Sequence, residues 1–136
     1  MSLNFLLIED DEIERLKFSR VMKKNEYNHQ ITEAENGEIA LEILEDTNRE
    51  LPDVVLLDLN MPKMNGLEFL KKLKSSERLH HIPVLILSTS NNNNDLKECY
   101  KAGIAGYIVK PLKYEEYQQK IKALIEYWNI NELIKQ

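Results

Sequence analysis

The 136 residues are enough for one domain with a buried core, and the 43% hydrophobic and 30% charged fractions are those of an ordinary globular protein. The formal net charge of −5 gives no general attraction for nucleic acid or for an anionic membrane surface, and the single cysteine, Cys99, excludes an internal disulfide. The sequence has no apolar run of the ~18 residues that a spanning helix needs, and it has no recognisable signal peptide. We therefore expect a cytoplasmic protein that contacts neither membrane nor nucleic acid.

Short apolar runs of strand length alternate with longer stretches of helical periodicity along the whole chain. This pattern is typical of repeated βα units, in which helices cover both faces of a parallel sheet. The predicted strands span residues 5–8, 30–34, 54–57, 84–87 and 107–109. Right-handed crossovers leave few topologies for five such units, so we predict an α/β fold with a doubly wound, five-stranded parallel sheet.

Capping and turn residues delimit five predicted helices. In chain order, the boundaries are Asp11 to Lys24 or Asn25, Asn36 to Leu51–Pro52, Asn65 to Ser75, the asparagine run 91–94 to Gly103, and a start after Pro111. In the first helix, Ile13, Leu16, Val21 and Met22 supply apolar positions that recur at roughly one helical turn.

Polar side chains stand at the carboxyl ends of four predicted strands, the edge at which doubly wound sheets bind ligands. They are Glu9, Asp10 and Asp11 after the first strand, Asp58 after the third, Ser88 after the fourth and Lys110 after the fifth. Each alone is readily explained as a helix cap, a turn residue or a solvated surface residue. Their coincidence at one edge of the sheet indicates a site with chemistry instead.

This set of residues fits phosphoryl transfer to a carboxylate. Mg²⁺ prefers oxygen ligands, which Asp10, Asp58 and the backbone carbonyl of Asn60 can supply. Lys110 and the Ser88 hydroxyl can hold other phosphoryl oxygens, and Asp58 can act as the nucleophile that becomes an acyl phosphate.

On these residues the sequence resembles the receiver domains of two-component response regulators, over about residues 4–127. The marks of that family are the acidic pair Glu9–Asp10, the Asp-Leu-Asn-Met-Pro segment 58–62, Gly66, Ser88 and the segment 106–111 with Lys110 and Pro111. The resemblance implies the flavodoxin-like or CheY-like (βα)5 fold, with strand order 2-1-3-4-5. It also implies a receiver domain over residues 1–128 and a short tail over residues 129–136.

The resemblance assigns a role to each site residue. In the family, the matching residues serve as phosphoacceptor and metal ligand (Asp58), as metal-binding acids (Asp10 directly, Glu9 through water), as a carbonyl ligand of Mg²⁺ (Asn60), as switch hydroxyl (Ser88), as switch aromatic (Tyr107) and as the lysine that reaches the phosphoryl group (Lys110). The peptide bond between Lys110 and Pro111 is usually cis in such proteins.

The same resemblance makes a sensor histidine kinase the phosphodonor. It implies a signalling switch with weak self-catalysed phosphotransfer and autodephosphorylation, and not an enzyme. Because the residues after Trp128 leave no room for an output domain, we expect an unidentified downstream protein as partner. A homodimer is a further expectation, through the fourth helix, the fifth strand and the fifth helix around Tyr107.

Three other functions fit parts of the pattern. A flavodoxin-like FMN protein shares the topology, but Glu9, Asp10 and Asp11 would repel phosphate in its binding loop unless a metal bridged them. Phosphatases with an aspartyl nucleophile commonly carry a second Asp at the position of Asn60. A receiver that only scaffolds other proteins would not need the complete set of site residues.

Asp11 itself is open to two roles, since it can assist the metal or begin the first helix.

Overall fold

Five strands alternate with five helices in the computed structural model, which describes residues 2–61 and 63–134. The elements are β1 (Asn4–Ile8), α1 (Glu12–Lys24), β2 (Gln30–Ala34), α2 (Gly37–Glu45), β3 (Val54–Leu57), α3 (Gly66–Lys74), β4 (Val84–Ser88), α4 (Asn93–Ala102), β5 (Gly106–Val109) and α5 (Tyr114–Asn129). Pro62, part of the predicted segment 58–62, lies outside the described residues, as do residues 1, 135 and 136 of the predicted domain and tail.

The strands form one parallel sheet in the order β2-β1-β3-β4-β5, which confirms the predicted fold. The predicted bounds of β2 and β3 are confirmed, and β1, β4 and β5 each extend by one residue beyond them. Because all five strands run the same way, their carboxyl ends meet at one edge of the sheet. None of the described helices is long and apolar enough to cross a membrane.

Side chains alternate between the two faces of the sheet and fill two separate cores. Leu6 and Ile8 of β1 face α2, α3 and α4, where Phe69 and Leu70 are buried. On the other face, helices α1 and α5 cover the sheet with a second set of buried side chains, which includes Phe5, Leu7, Phe18, Val21, Tyr117, Ile121, Leu124, Ile125 and Trp128. The sheet is therefore covered on both sides, as the continuous apolar runs of β3 and β4 require.

The predicted apolar stripe of α1 is wrong in its first half. Ile13 and Leu16 are 68% and 52% exposed, whereas Phe18, Val21 and Met22 are buried. A helix turns about 100° per residue, so the two early residues point away from the side that carries Phe18 and Val21. Two large apolar side chains of α1 consequently face solvent near the start of the helix.

Side-chain caps begin four of the helices at the predicted places. The capping residues, each accepting a backbone N–H of the first turn, are Asp11, Asn36, Asn65 and Asn92. Gly103 ends α4 with a φ of 102°, a left-handed conformation that favours glycine. Helix α2 ends at Glu45, earlier than predicted, because the Asp46 side chain accepts the N–H of Asn48 and begins a turn.

The chain beyond α5 is short and only partly packed. Helix α5 ends at Asn129, and residues 131–134 are not helical. Leu133 packs against the core of α1 and α5, whereas Ile130 and Ile134 are 81% and 65% exposed. Of these three apolar residues of the tail, one therefore packs against the core and two face solvent.

His29 lies at the start of the sheet and makes the stability of the fold depend on pH. Its Nδ1 accepts the backbone N–H of Leu3 at 2.8 Å, and its ring stacks on Tyr27. Burial lowers the pKa of His29 below the ordinary value of 6.5. Because the unfolded chain binds this proton more readily than the folded one, the contribution is full above about pH 6.5 and is lost as the pH falls through the lower, folded pKa.

We therefore expect His29 to contribute a decrease in the free energy of unfolding between about pH 7.5 and about pH 5.5, and this contribution should be absent in His29→Gln, which cannot titrate. Urea unfolding at both pH values measures this difference. His80→Gln, at an exposed position, is the matched control and should keep the full decrease. An equal decrease in wild type and His29→Gln would show that His29 does not carry it.

Candidate functional site

The sheet itself positions the predicted site residues. Glu9, Asp58 and Lys110 directly follow β1, β3 and β5, and their backbone N–H groups continue the strand pairing. The Glu9 N–H donates to the Ala34 carbonyl at 3.0 Å, and that of Asp58 to the Ile8 carbonyl at 3.0 Å. The Lys110 N–H donates to the Ser88 carbonyl at 2.8 Å, so all three side chains start from fixed backbone.

Three of the predicted acids form one cluster. Glu9, Asp10 and Asp58 each offer a carboxylate oxygen, and these oxygens lie within 4.8 Å of one another. Their burial differs, because Glu9 is 4% exposed, Asp58 is half-buried and Asp10 is exposed. Carboxylates this close repel one another unless a cation offsets their charge, and hard oxygen donors suit Mg²⁺ or a similar divalent ion. The donor set therefore fits the predicted metal site.

Lys110 forms a buried ion pair with Glu9. Its Nζ lies 2.6 Å from Glu9 Oε1, and only 9% and 5% of the two side chains are exposed. Burial raises the pKa of Glu9 to about 7 even though Lys110 opposes the shift. Burial alone would lower the pKa of Lys110, but the bond to Glu9 and the nearby carboxylates outweigh it and raise that pKa. The lysine therefore carries a full positive charge beside the acids.

Asp58 interacts with both members of the Glu9–Lys110 pair. Burial raises its pKa, while the charge of Lys110, a hydrogen bond with Glu9 and one with the backbone of Asn60 lower it. Asn60 is exposed two residues along the loop. The structure thus brings Asp58, Glu9, Lys110 and Asn60 together, as the sequence predicted.

A glycine lets the loop after Asp58 pack tightly. The first residue of α3, Gly66, donates its N–H to the Leu59 carbonyl at 3.0 Å. A Cβ at position 66 would lie 2.6 Å from the carbonyl oxygen of Asp58 and 2.7 Å from Leu59 Cα. Since both contacts are with backbone, no other residue fits without moving the loop that carries Asp58.

The predicted switch residues, Ser88 and Tyr107, meet at Ser90. Ser88 is fully buried, and its Oγ accepts the N–H of Ser90 at 3.1 Å. The hydroxyl of Tyr107 donates to the carbonyl of Ser90 at 2.9 Å. Burial raises the pKa of Tyr107, so its hydroxyl stays protonated and able to donate.

Two residues near the site, Asp11 and Arg15, make contacts that the sequence did not establish. Asp11 caps α1 by accepting the N–H of Ile13 at 2.9 Å, which accounts for this third acid without a metal. Arg15, which the sequence did not single out, donates from Nη1 to the Glu9 carbonyl at 2.7 Å and pairs with Glu33 at 3.3 Å. A basic residue on a helix carries no local signal of such a contact, because one partner lies just after β1 and the other lies in β2.

The Lys110–Pro111 peptide differs from the expectation of a cis bond. No cis peptide bond occurs in residues 2–61 or 63–134, so this bond is trans. The trans form of an X–Pro bond is the more stable one by about 0.5–1 kcal/mol in the absence of other constraints. In this arrangement Lys110 reaches Glu9.

The chain is similar to known proteins in both sequence and structure. A model of the response regulator receiver domain matches residues 5–122. The probable methanogenesis regulatory protein FilR2 of Methanothrix harundinacea is 36% identical over 126 residues, which cover 90% of this chain and 81% of that protein.

Two solved structures superpose over almost the full chain. The phosphorylated cyanobacterial phytochrome response regulator RcpA matches with a TM-score of 0.91 and 30% identity, covering 98% of this chain and 99% of that one. The Mn²⁺-bound form of the response regulator Rcp1, a protein known from Synechocystis sp., matches with a TM-score of 0.89 and 28% identity, covering 97% and 99%.

Proposed function

Because the chain belongs to the response regulator receiver domain family, we propose that Asp58 is the residue that accepts the phosphoryl group. As a member of that family it is a phosphoacceptor of a two-component phosphorelay, and histidine kinases supply the group. The observation that carries the assignment to Asp58 is the cluster of Glu9, Asp10 and Asp58 beside Lys110.

In the proposed reaction a carboxylate oxygen of Asp58 forms a bond to phosphorus while the bond from phosphorus to the donor's imidazole nitrogen breaks. The product is an acyl phosphate, and the electron pair stays with the leaving imidazole. Lys110 offers a positive charge for the phosphoryl oxygens, and the buried Ser88 hydroxyl offers a hydrogen-bond donor. Hydrolysis of the acyl phosphate at the same site would be the weak autodephosphorylation that we expect.

We assign the divalent ion of the site as Mg²⁺, held by Asp10, Asp58 and the Asn60 carbonyl, with Glu9 acting through water. When bound there, the ion would neutralise charge on the transferring phosphoryl group. Exposed Asp10 can retain water around a bound ion, which suits the reluctance of Mg²⁺ to lose its hydration shell. That a similar protein, Rcp1, has a Mn²⁺-bound form supports the binding of a divalent ion by this chain.

Asp10→Asn should weaken Mg²⁺ binding by about tenfold or more, because it removes a charged ligand while leaving the proposed nucleophile intact. Isothermal titration calorimetry with MgCl₂ measures the dissociation constant. Asp11→Asn is the matched control, since it removes the same charge one residue away and asparagine caps a helix as well as aspartate does. Equal losses in the two variants would mean that only net charge matters and that Asp10 is not a ligand.

The apolar side chains that α1 exposes offer a surface for the phosphodonor. Ile13 and Leu16 lie at the start of α1 close after the acidic pair, and Leu112, fully exposed, lies just after Lys110. Exposed apolar residues beside a charged site are typical of a protein-binding surface. We propose that the histidine-bearing domain of the kinase docks on these apolar residues. The free, buried thiol of Cys99 is stable in a reducing compartment, so we place this interaction in the cytoplasm.

The proposed output surface consists of α4, β5 and α5, and it serves the downstream partner or a second copy of the chain. Tyr107 of β5 contacts the β4–α4 loop through Ser90, so a change at Ser88 can reach this surface. Tyr100, Tyr114 and Tyr127 are exposed on α4 and α5, and tyrosine is enriched in protein interfaces.

Incubation with Mg²⁺ and a small acyl phosphate, followed by intact mass measurement, tests the proposed function. We expect one added phosphoryl group per chain. Amide hydrogen exchange on the same samples should change within residues 91–128. Absence of labelling would overturn the proposed chemistry, whereas changes confined to α2 and α3 would place the output surface elsewhere.

A further inference from the structure

Arg15 of α1 joins the end of β1 to strand β2 through a single guanidinium group. Its Nη1 donates to the backbone carbonyl of Glu9 at 2.7 Å, and its Nε lies 3.3 Å from Glu33 Oε2. Only 13% of the Arg15 side chain is exposed. Since the two nitrogens belong to one rigid, planar group, the contact with Glu33 fixes the direction of the bond to Glu9.

The sheet places Glu33 on the face that α1 covers. Glu33 is the register partner of Leu7 in the parallel pair of β1 and β2. Leu7 belongs to the core beneath α1 and α5, and residues that are paired across a sheet point to the same face. The opposite charges of Arg15 and Glu33 largely offset each other, so the pair brings little net charge to the nearby acid cluster.

The carbonyl that Arg15 holds belongs to the peptide group that joins Glu9 to Asp10. A peptide group is planar, so the positions of the Glu9 Cα and of this carbonyl oxygen together determine where the Asp10 Cα lies. Strand pairing fixes the Glu9 end, because the Glu9 N–H donates to the Ala34 carbonyl at 3.0 Å. The bond from Arg15 fixes the carbonyl end, and with it the origin of the Asp10 side chain.

Asp10 depends on this backbone more than the other acids do. It is exposed, so little packing holds its side chain, whereas Asp58 is half-buried and directly follows the paired backbone of β3. Metal affinity falls when the groups that orient a ligand are removed, even if the ligand itself is kept. An anchor on the carbonyl before Asp10 therefore bears directly on the metal site.

We propose that Arg15 is a positioning residue of the metal site. It holds the Glu9–Asp10 peptide group so that the Asp10 carboxylate stays within reach of the divalent ion, and Glu33 keeps Arg15 in place. This inference rests on the proposed function, because it takes Asp10 to be a metal ligand. Arg15 acts through Asp10 and contacts neither the ion nor the phosphoryl group.

Charge and position predict opposite effects of losing Arg15. Arg15→Met removes a positive charge near the acids and leaves the charge of Glu33 without its partner, which by charge alone should tighten the binding of a cation. Loss of the anchor on the Glu9 carbonyl should instead weaken it. The double variant Arg15→Met, Glu33→Gln leaves the net charge unchanged, so only the effect of position remains.

Isothermal titration calorimetry with MgCl₂ should show binding about three- to tenfold weaker in both Arg15→Met and the double variant, a smaller loss than that of a ligand. Arg15→Lys keeps the charge, but one ammonium group cannot reproduce the fork of two donors, so we expect a loss of about twofold or more. Arg20→Met is the matched control. It removes the same charged group from an exposed position of the same helix and should bind Mg²⁺ like wild type.

A second measurement separates the positioning of the metal from general damage to the site. Beryllofluoride, which stands in for a phosphoryl group on a carboxylate, is titrated in saturating Mg²⁺. Because the backbone of Asp58 is held by strand pairing and not by Arg15, the affinity for beryllofluoride should stay within about twofold of wild type once the metal site is filled. A variant with a disturbed site would lose both affinities.

The outcomes separate the proposed function from the role of Arg15. If wild type lacks affinity for Mg²⁺ or for beryllofluoride, the proposed function falls and the role of Arg15 falls with it. If wild type binds both, and Arg15→Met and the double variant bind Mg²⁺ as tightly as wild type or more tightly, the proposed function stands and the positioning role is overturned. Loss of beryllofluoride affinity in saturating Mg²⁺ would also overturn it. Should Arg15→Met fail to fold, Arg15→Lys decides by the same criteria.

Discussion

Asp58→Asn should abolish phosphoryl incorporation from a small acyl phosphate in the presence of Mg²⁺. The amide nitrogen and oxygen are poor nucleophiles, so the first bond to phosphorus cannot form. Neither neighbouring acid should replace it, because Glu9 is 4% exposed and bonded to Lys110 at 2.6 Å, and Asp10 is exposed at the margin of the site. We expect a loss of at least about a hundredfold, the order of effect that follows removal of a nucleophile.

Intact mass after a fixed incubation measures this loss, and peptide mapping after reductive trapping of the acyl phosphate locates the label in wild type. Asp46→Asn, an exposed aspartate that begins the turn after α2, is the matched control and should be labelled like wild type. Labelling of Asp58→Asn at the wild-type rate, or a label mapped to Asp10, would refute the assignment of Asp58 as phosphoacceptor.

Lys110→Met should destabilise the metal-free protein by about 3 kcal/mol at a pH well above 7, because it removes one partner of a buried ion pair and leaves Glu9 either charged without compensation or obliged to take up a proton. Glu9 has little contact with bulk solvent, since only 5% of its side chain is exposed. A bound divalent cation can replace the missing positive charge, so Mg²⁺ should recover most of the loss. Urea unfolding with and without Mg²⁺ measures both quantities.

The same substitution removes the positive charge that competes with the cation for Glu9. We therefore expect Mg²⁺ affinity to be retained or increased, while the change in residues 91–128 on beryllofluoride binding is lost. The double variant Glu9→Gln, Lys110→Met provides the control, because it removes both charges and should be less destabilised than Lys110→Met alone. A double variant as unstable as the sum of its parts would mean that the ion pair does not couple the two residues.

Much of the fold could be predicted from the sequence, because the signals for helix starts and strands lie within short stretches of the chain. The caps Asp11, Asn36, Asn65 and Asn92 each bond to a backbone N–H two or three residues ahead, so a short stretch of sequence contains the whole interaction. Strand positions follow from apolar runs with flanking turn residues in the same way. The first half of α1 shows the limit of that reasoning, because the presence of Ile13 and Leu16 in the helix says nothing about the direction in which its buried side points.

The composition of the site could also be predicted, since parallel strands bring their carboxyl ends to one edge whatever the details of packing. What the tertiary structure decided is which acid is buried, which is paired and which is exposed. Glu9 and Lys110 are 101 residues apart in the chain and 2.6 Å apart in space, and Ser90 meets Tyr107 across 17 residues. Such partners depend on burial and on distances between separate strands and loops. For that reason the charge state of the acids and the contacts of Ser90 emerge only when the chain is folded.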